Sequence, residues 1–377
     1  MIKIGVPKET KPFERRVCMT PEIIKQLNNK GLEFLIEKDA GKLSYYYDNK
    51  YTQVEAKIEE NTQALYQNSD VIIKVNAPSS AEIAWMKKGS TLICLAFPTL
   101  NTDIVLSAEK AEINLIALES IPRISRAQKM DILSSQANLA GYKAVLIGAA
   151  ELGKVFPMLM TAAGTIKPSN VVIMGAGVAG LQAIATAKRL GAIVHVSDVR
   201  PETKEQVESL GAKFIEVNVD EKVSTEGGYV KNLSPEYLAK QKEIISKFVA
   251  QADLVITTAL IPGKKAPVLI TTDMLENMKP GSVIVDMAVE QGGNCEKSKV
   301  NEKVEYNGVT IIGESNLPSL AALNASDLFA KNIQALILHL LKDNVFNIDE
   351  TDEITKGCLL IKNGNPIHPS IKLNQTA

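Results

Sequence analysis

The fold of this chain is decided by one stretch, Val171-Val172-Ile173-Met174-Gly175-Ala176-Gly177-Val178-Ala179-Gly180. Its first four residues are apolar and predict a buried strand, and the apolar periodicity of Ala179–Leu190 predicts a helix directly afterwards. The glycines have the spacing G-x-G-x-x-G. Gly175 permits a tight turn, Gly177 lets a pyrophosphate approach the backbone, and Gly180 lets the helix pack closely on the strand. We therefore expect a dinucleotide site with the phosphates at the helix N-terminus.

An acidic residue follows at the position that this motif requires. Asp198 directly follows the end of the next predicted strand, Ile193–Ser197, and comes eighteen residues after Gly180. A carboxylate there accepts hydrogen bonds from a ribose 2′-hydroxyl and repels a 2′-phosphate, which favours NAD(H) over NADP(H). Arg200, two residues further on, is the neighbour that argues against this preference.

Strands alternate with helices on both sides of the glycine motif, which predicts an α/β protein with parallel sheets. Two long helices, Met130–Leu152 and Ala325–Leu341, flank the block that contains the motif. We expect two Rossmann-like domains separated by a cleft and joined by these helices. The first is discontinuous, 1–132 plus 318–377, and the NAD(H)-binding domain is 133–317. The other predicted strands are Ile2–Val6, Val71–Val75, Thr91–Leu95, Leu115–Leu118, Leu254–Thr257 and Val283–Asp286, and the other predicted helices are Pro21–Lys30, Ala81–Lys87, Thr102–Lys110, Glu202–Leu210 and Pro235–Ala250.

The composition excludes several classes of function. With 42 Lys and Arg against 43 Asp and Glu, the net charge is −1, which argues against a nucleic-acid-binding protein. The longest apolar stretches fall short of the roughly 18 residues of a membrane span, so we expect no membrane insertion. The four cysteines are widely spaced and predict buried free thiols. We find no spacing typical of a metal site.

A second polar cluster precedes the first long helix. It reads Arg123-Ile124-Ser125-Arg126-Ala127-Gln128-Lys129-Met130-Asp131 and is followed by Ser134. Two interpretations stay open from the residues alone. In the first interpretation, Ser125 caps a helix and Asp131 pairs with Arg126 or Lys129. In the second, the cluster faces a ligand cleft. The chain has three histidines and no obvious nucleophile–base pair, which fits hydride transfer between cofactors because that chemistry needs positioning more than an acid or a base.

At these residues the chain resembles the NAD(H)-binding domain of proton-translocating NAD(P) transhydrogenase. The resemblance covers essentially the whole chain. It is carried by Arg123–Gln128, Asp131, Ala137–Tyr142, Gly175–Gly180, Thr257–Lys264 and Gln291–Glu296.

The resemblance implies a role for individual residues. At the nicotinamide end it implies Arg123, Gln128, Asp131 and Ser134, with Gln128 holding the ring for transfer, and Ile124 and Ser125 of the same loop as cofactor contacts. Val178 and the glycines match the pyrophosphate turn. The remaining positions are Asp198, Val199 and Arg200 for the adenosine ribose, Gly228 and Tyr229 for a mobile loop, and Gln241 and Leu260 for further lining.

The resemblance also implies the reaction and the partners. A hydride would pass from NADH directly to NADP⁺ held by a partner subunit, coupled to proton translocation. We expect a homodimer docked on membrane-embedded and NADP(H)-binding subunits, cytoplasmic and peripheral on the inner membrane through those partners.

The alternative is an alanine dehydrogenase-like amino-acid dehydrogenase, which is similar in Gly5–Glu9, in Arg16-Val17 and in Lys74. The catalytic histidine of that family would fall near Thr91–Pro98, where this chain has none. Imine chemistry at pyruvate is poorly served without that acid or base. A nucleotide-sensing protein without turnover is the alternative from another class.

Overall fold

The computed structural model describes residues 1–217, 224–226, 229–231, 235–260 and 265–372. In chain order the strands are β1 Ile2–Val6, β2 Leu32–Glu37, β3 Lys57–Glu59, β4 Val71–Asn76, β5 Thr91–Leu95, β6 Asn114–Ala117, β7 Leu159–Thr161, β8 Gly164–Ile166, β9 Asn170–Met174, β10 Ile193–Ser197, β11 Lys213–Phe214, β12 Ser224–Glu226, β13 Tyr229–Lys231, β14 Leu254–Thr257, β15 Val283–Asp286, β16 Lys303–Tyr306, β17 Val309–Ile312, β18 Leu341–Lys342, β19 Val345–Phe346, β20 Leu359–Lys362 and β21 Asn365–Pro366.

The α-helices in the same order are α1 Pro21–Leu27, α2 Asp48–Thr52, α3 Thr62–Asn68, α4 Ser80–Ile83, α5 Thr102–Lys110, α6 Ile132–Glu151, α7 Val178–Arg189, α8 Thr203–Ser209, α9 Pro235–Gln251, α10 Thr272–Glu276, α11 Ala322–Leu340, α12 Glu353–Cys358 and α13 Pro369–Lys372.

The chain forms two compact units. The first consists of Met1–Gln136 and Ser319–Ala377, and the second is Ala137–Pro318. Helix α6 begins in the first unit and continues into the second. The sequence analysis sets the two changes of domain at residues 132/133 and 317/318, and the compact units change at 136/137 and 318/319.

The first unit is built on a sheet of order β21-β20-β6-β5-β4-β1-β2-β3. Strands β1 to β6 are parallel, whereas β20 runs antiparallel to β6 and forms a hairpin with β21 across Asn363-Gly364. The buried side chains of α1 and α11 cover one face of this sheet. Strands β2 and β3 and helix α3 are additions that the sequence analysis missed.

The second unit is built on a sheet of order β11-β10-β9-β14-β15-β17-β16, parallel except for the β16–β17 hairpin. Strand β9 lies between β10 and β14, so the strand order reverses there. In an open α/β sheet, ligands bind outside the carboxyl ends of the strands at such a switch point. The glycine motif follows β9, and the predicted α/β class is confirmed.

Two further findings concern the cysteines and the helices. All four cysteines are buried and free, as predicted. In the part of the chain that the structure describes, none of the helices combines the length and the apolar character that crossing a bilayer requires.

Candidate dinucleotide-binding site

The glycine turn between β9 and α7 is shaped by close backbone contacts. Gly175 has a φ of +108°, and a Cβ on it would come within 2.3 Å of Oγ1 of Thr258. A Cβ on Gly180 would come within 1.9 Å of the carbonyl oxygen of Gly175. Both positions therefore require glycine for the turn itself.

Gly177 is different, because a Cβ there would meet no atom of a described residue within 4 Å. It precedes α7 without supplying a capping side chain, and its carbonyl accepts the N–H of Leu181 at 2.8 Å. The first three amides of the helix, Val178–Gly180, precede that bond and lack an intrahelical partner. An open backbone with free N–H groups at a helix N-terminus fits a pyrophosphate.

Helix α6 supports the first turn of α7 from the side. A Cβ on Gly141 would come within 2.0 Å of the carbonyl oxygen of Ala179. The amide of Asn138 donates to the side chain of Gln182 at 3.2 Å. The segment Ala137–Tyr142 therefore has a packing role next to the glycine turn.

The carboxylate of Asp198 binds the turn and a neighbouring arginine. Its Oδ2 accepts the N–H of Ala176 at 2.6 Å and Nη2 of Arg200 at 3.0 Å, and its Oδ1 accepts the backbone N–H of Arg200 at 2.8 Å and its Nε at 3.0 Å. Only 5% of the Asp198 side chain is exposed. Since a carboxylate has about four acceptor positions, a ribose hydroxyl would have to replace one of the Arg200 contacts.

A buried polar cluster fixes the loop after β14, and the sequence analysis missed it. The fully buried Asn294 donates Nδ2 to the carbonyls of Ala259 and Pro267, and its Oδ1 accepts the N–H of Ala259 at 3.1 Å. Asp286, at the end of β15, accepts the backbone N–H groups of Asn294 and Cys295. The motif Gln291–Glu296, which contains Asn294, was the available signal, because a buried side-chain amide needs hydrogen-bond partners.

The remaining predicted positions of the second unit lie on several different elements. Val199 is half-buried two residues after the end of β10, Gln241 is buried on α9, and Leu260, directly after Ala259, is partly exposed. Gly228 lies outside the described residues, and Tyr229 is described only as the backbone of β13, paired with Glu226 of β12.

In the first unit, the segment that contains Gln128 forms a 3₁₀ helix, Ser125–Met130. Ala127 and Met130 are buried in the core of this unit, and Ile124 packs against it. Arg123, Ser125 and Gln128 are exposed. The side chains of Arg123 and Gln128 make no hydrogen bond to any described residue and are available to a ligand.

Asp131 and Ser134 are brought together at the start of α6. Oδ1 of Asp131 accepts the backbone N–H of Ser134 at 2.9 Å, and Oδ2 accepts its hydroxyl at 2.6 Å. Asp131 is thus the N-cap of α6. The interpretation in which Asp131 pairs with Arg126 is wrong, because Arg126 binds Asp352, and Ser125 does not cap the 3₁₀ helix with its side chain.

A buried polar network lies at the carboxyl ends of β1 and β4. The Lys74 ammonium is 3.5 Å from Glu82 and donates to the carbonyl of Lys8 at 3.4 Å. Arg16 pairs with Glu14 at 2.7 Å and donates to Gln136 at 2.9 Å. Burial alone would raise the pKa of Glu14, but the hydrogen bonds and charge of Arg16 and the Ser319 hydroxyl lower it to about 2.

Two backbone N–H groups just after β5 contact a carboxylate, in the segment where the sequence analysis expects the histidine of an alanine dehydrogenase. Glu119 accepts the backbone N–H groups of Ala96 at 3.0 Å and Phe97 at 2.5 Å. Burial raises the pKa of Glu119. Within the described ranges, no group of three or more His, Cys, Asp or Glu residues is placed to hold a metal ion.

Both units match known families over most of their length. Residues 5–140 match the family described as alanine dehydrogenase/PNT, N-terminal domain, and residues 144–369 match alanine dehydrogenase/PNT, C-terminal domain. The first portion of NAD(P) transhydrogenase subunit alpha from Rhodospirillum rubrum is 47% identical over 381 residues, which cover 98% of this chain and 99% of that protein. The chain belongs to the NAD(P) transhydrogenase alpha-subunit family.

Solved structures agree with this membership in the transhydrogenase family. A transhydrogenase from Sinorhizobium meliloti is 42% identical, has a TM-score of 0.88 and is matched over 97% of this chain and 100% of that chain. An L-alanine dehydrogenase is 27% identical with a TM-score of 0.85, over 100% of this chain and 99% of that chain. Membership in the transhydrogenase family supports an oxidoreductase role.

Proposed function

We propose that this chain is the NAD(H)-binding subunit of a proton-translocating transhydrogenase. It passes a hydride from NADH to NADP⁺ held by a partner subunit, and the products are NAD⁺ and NADPH. The observation that carries this proposal is the near-complete correspondence, at 47% identity, with a transhydrogenase subunit of nearly the same length. The coupling of this transfer to proton translocation belongs to the same proposal.

The glycine turn supports the binding half of the proposal. The amides of Val178–Gly180 face no capping side chain, so they bind the pyrophosphate, while Gly177 lets it approach the backbone. Asp198 accepts the adenosine ribose in exchange for a contact with Arg200, with Val199 beside it. We assign Gln241, Leu260 and the Gly228-Tyr229 segment as further lining of the same nucleotide.

The Arg123–Ser134 segment supports the transfer half. When bound, the dihydronicotinamide ring supplies the hydride. Gln128 and Arg123, exposed and without hydrogen bonds to described residues, orient its carboxamide, with Ile124 and Ser125 beside them. Asp131 and Ser134 fix the start of α6 and complete this end of the site.

The amino-acid dehydrogenase alternative has the fold in its favour but not the chemistry. The end of β5 offers backbone amides bound to Glu119 in place of an imidazole. Lys74 is almost completely buried and is paired with Glu82. Rapid loss of NADH on addition of pyruvate and ammonium to the purified chain would favour that alternative.

The experiment that tests the proposal is reconstitution with the membrane-embedded and NADP(H)-binding subunits. NADPH formation from NADH and NADP⁺ is measured for the wild type and for Gln128→Asn. The shortened side chain displaces its amide, so kcat falls about tenfold while the Kd for NADH changes less than about twofold.

Gln63→Asn is the control, because it removes the same methylene from an exposed glutamine on α3. NADH binding without transfer by the wild-type assembly would favour a nucleotide-sensing protein instead. Equal kcat for wild type and Gln128→Asn would refute the role of Gln128 alone.

We also propose that the working form is a homodimer on the cytoplasmic face of the inner membrane, held there by its partner subunits. The support for a second copy is the β7–β8 hairpin. Its residues are all exposed, including the apolar pair Leu159 and Ile166, which face each other across the two strands. A two-stranded hairpin with exposed apolar side chains gains stability when another surface covers it.

A further inference from the structure

Side-chain contacts hold the 3₁₀ helix Ser125–Met130 on either side of Gln128. On the N-terminal side, Nη1 of Arg126 lies 2.9 Å from Oδ2 of Asp352, and its Nη2 lies 3.5 Å from Oε2 of Glu353. On the C-terminal side, Nδ2 of Asn332 donates to the carbonyl of Lys129 at 2.8 Å. We call these the Asp352 clamp and the Asn332 clamp.

Asp352 is itself fixed before it meets Arg126. It is the N-cap of α12, and its Oδ1 accepts the backbone N–H groups of Ile354 and Thr355, each at 3.0 Å. The same oxygen lies 2.8 Å from Nε2 of His339. Burial opposes ionisation of Asp352, but the Thr355 N–H and His339 hold its pKa well below the ordinary value. The carboxylate therefore presents one charged oxygen, Oδ2, to Arg126 in a fixed direction.

One helix supports both clamps. Asn332 and His339 lie seven residues apart on α11, about two turns, and so project from the same face. Oδ1 of Asn332 also accepts the hydroxyl of Ser135 at 2.7 Å. Helix α11 packs in the core of the first unit through Phe329, Ile333 and Leu336. Contacts that lead back to the buried helix α11 therefore hold the 3₁₀ helix in position.

Gln128 lies between the two clamped residues, and its own side chain is bonded to no described residue. Its backbone position is consequently determined by its neighbours. We propose that Asp352, acting through Arg126, is a positioning residue that sets Gln128 for hydride transfer. This inference rests on the proposed function, and Asp352 touches neither cofactor.

Asp352→Asn tests the clamp without removing the cap. Asparagine is as good an N-cap as aspartate, so its amide oxygen still accepts the N–H groups of Ile354 and Thr355. The amide nitrogen then faces Arg126, and two donors meet. Asp103→Asn is the matched control, because it makes the same chemical change on an exposed carboxylate in the first turn of α5, and Asp103 belongs to neither clamp.

The first measurement is hydrogen exchange on the chain alone, which does not depend on the proposed function. The N–H of Ala127 donates to Ile124, and that of Asp131 donates to Gln128. We expect both amides to exchange at least about fivefold faster in Asp352→Asn and at the wild-type rate in Asp103→Asn. Unchanged exchange in Asp352→Asn would overturn the inference.

The second measurement is hydride transfer in the reconstituted assembly. We expect Asp352→Asn to lower kcat about fivefold with KM for NADH within about twofold of wild type, and to cause no further loss in a Gln128→Asn background. Additive losses, or an equal loss in Asp103→Asn, would overturn the inference. A wild-type assembly that transfers no hydride would refute the proposed function, and the exchange rates would still decide the clamp.

Discussion

At the scale of single residues, Asp198 does more than the sequence motif implies. The motif assigns it to a ribose hydroxyl, yet its two oxygens already accept four N–H groups, from Ala176 and Arg200. Its carboxylate therefore holds the glycine turn closed and neutralises the arginine beside it. We expect discrimination against a 2′-phosphate to depend on this pairing, since an Arg200 that lacks the Asp198 carboxylate would attract a phosphate.

Asp198→Asn is expected to weaken NADH binding about tenfold and to shift preference towards NADPH. The substitution removes a charged acceptor from the ribose and takes the Asp198 carboxylate away from Arg200. Fluorescence titrations with NADH and NADPH measure both effects. Glu202→Gln, on an exposed carboxylate four residues later, serves as the control. An unchanged ratio of the two affinities would contradict this account of cofactor choice.

At the scale of elements, the three motif glycines divide into two kinds. Gly175 and Gly180 are required by protein atoms, whereas the space beside Gly177 holds no described atom within 4 Å. In the β9–α7 turn, we therefore expect Gly175 and Gly180 to matter for folding stability and Gly177 to matter for nucleotide binding.

This division predicts opposite results for two alanine substitutions. Gly180→Ala forces a Cβ against the carbonyl of Gly175 and should cost about 1–3 kcal/mol of unfolding free energy. Gly177→Ala should leave the unfolding midpoint within error but weaken NADH binding at least about tenfold, because its methyl group fills the phosphate approach.

Urea denaturation and NADH titration of the same samples provide the two measurements. Gly153→Ala, which also adds a methyl group in open space, is the control for Gly177→Ala. Full NADH affinity in Gly177→Ala would place the pyrophosphate elsewhere.

The sequence predicted the elements whose signal is local. Strands β1, β5, β10, β14 and β15 have their predicted bounds because short β-branched runs end at clear breaks. Helix α4 ends at Ile83, four residues before the predicted end at Lys87, because the capping box of Ser79 and Glu82 starts a single turn whose chain then leaves the helix.

Long-range pairings were beyond the sequence analysis. Arg126 and Asp352 are 226 residues apart, and nothing in the local spacing distinguishes that partner from Asp131. The same holds for Asn294, whose role depends on the backbone of Ala259. The glycine motif could be predicted because its chemistry is contiguous; the support of Gln128 could not, because it is assembled from distant segments.

At the scale of the whole molecule, the β7–β8 hairpin is an element whose apolar side chains are exposed. Met160 is 78% exposed, and Met158, Leu159 and Ile166 are exposed as well. Apolar side chains grouped on a short hairpin of this kind support the proposed association with a second copy.

Met160→Lys should shift the proposed dimer towards monomer, because it introduces a charge that the interface would have to desolvate. Sedimentation velocity at micromolar concentration measures the shift. Leu106→Lys is the control, since Leu106 is also a strongly exposed apolar residue, on α5. A wild type that sediments as a monomer would contradict the proposed homodimer and the role of the hairpin in it.

The interrupted first unit has a consequence for synthesis on the ribosome. The second unit is complete once Pro318 has emerged, whereas the first still lacks α11 and β20 at that moment. The segment made first is thus the later one to finish folding, a reversal of the usual N-terminal-first order. Until β20 emerges, the nascent chain carries β6 as an open sheet edge, so chaperone binding should concentrate on translation intermediates between these two lengths.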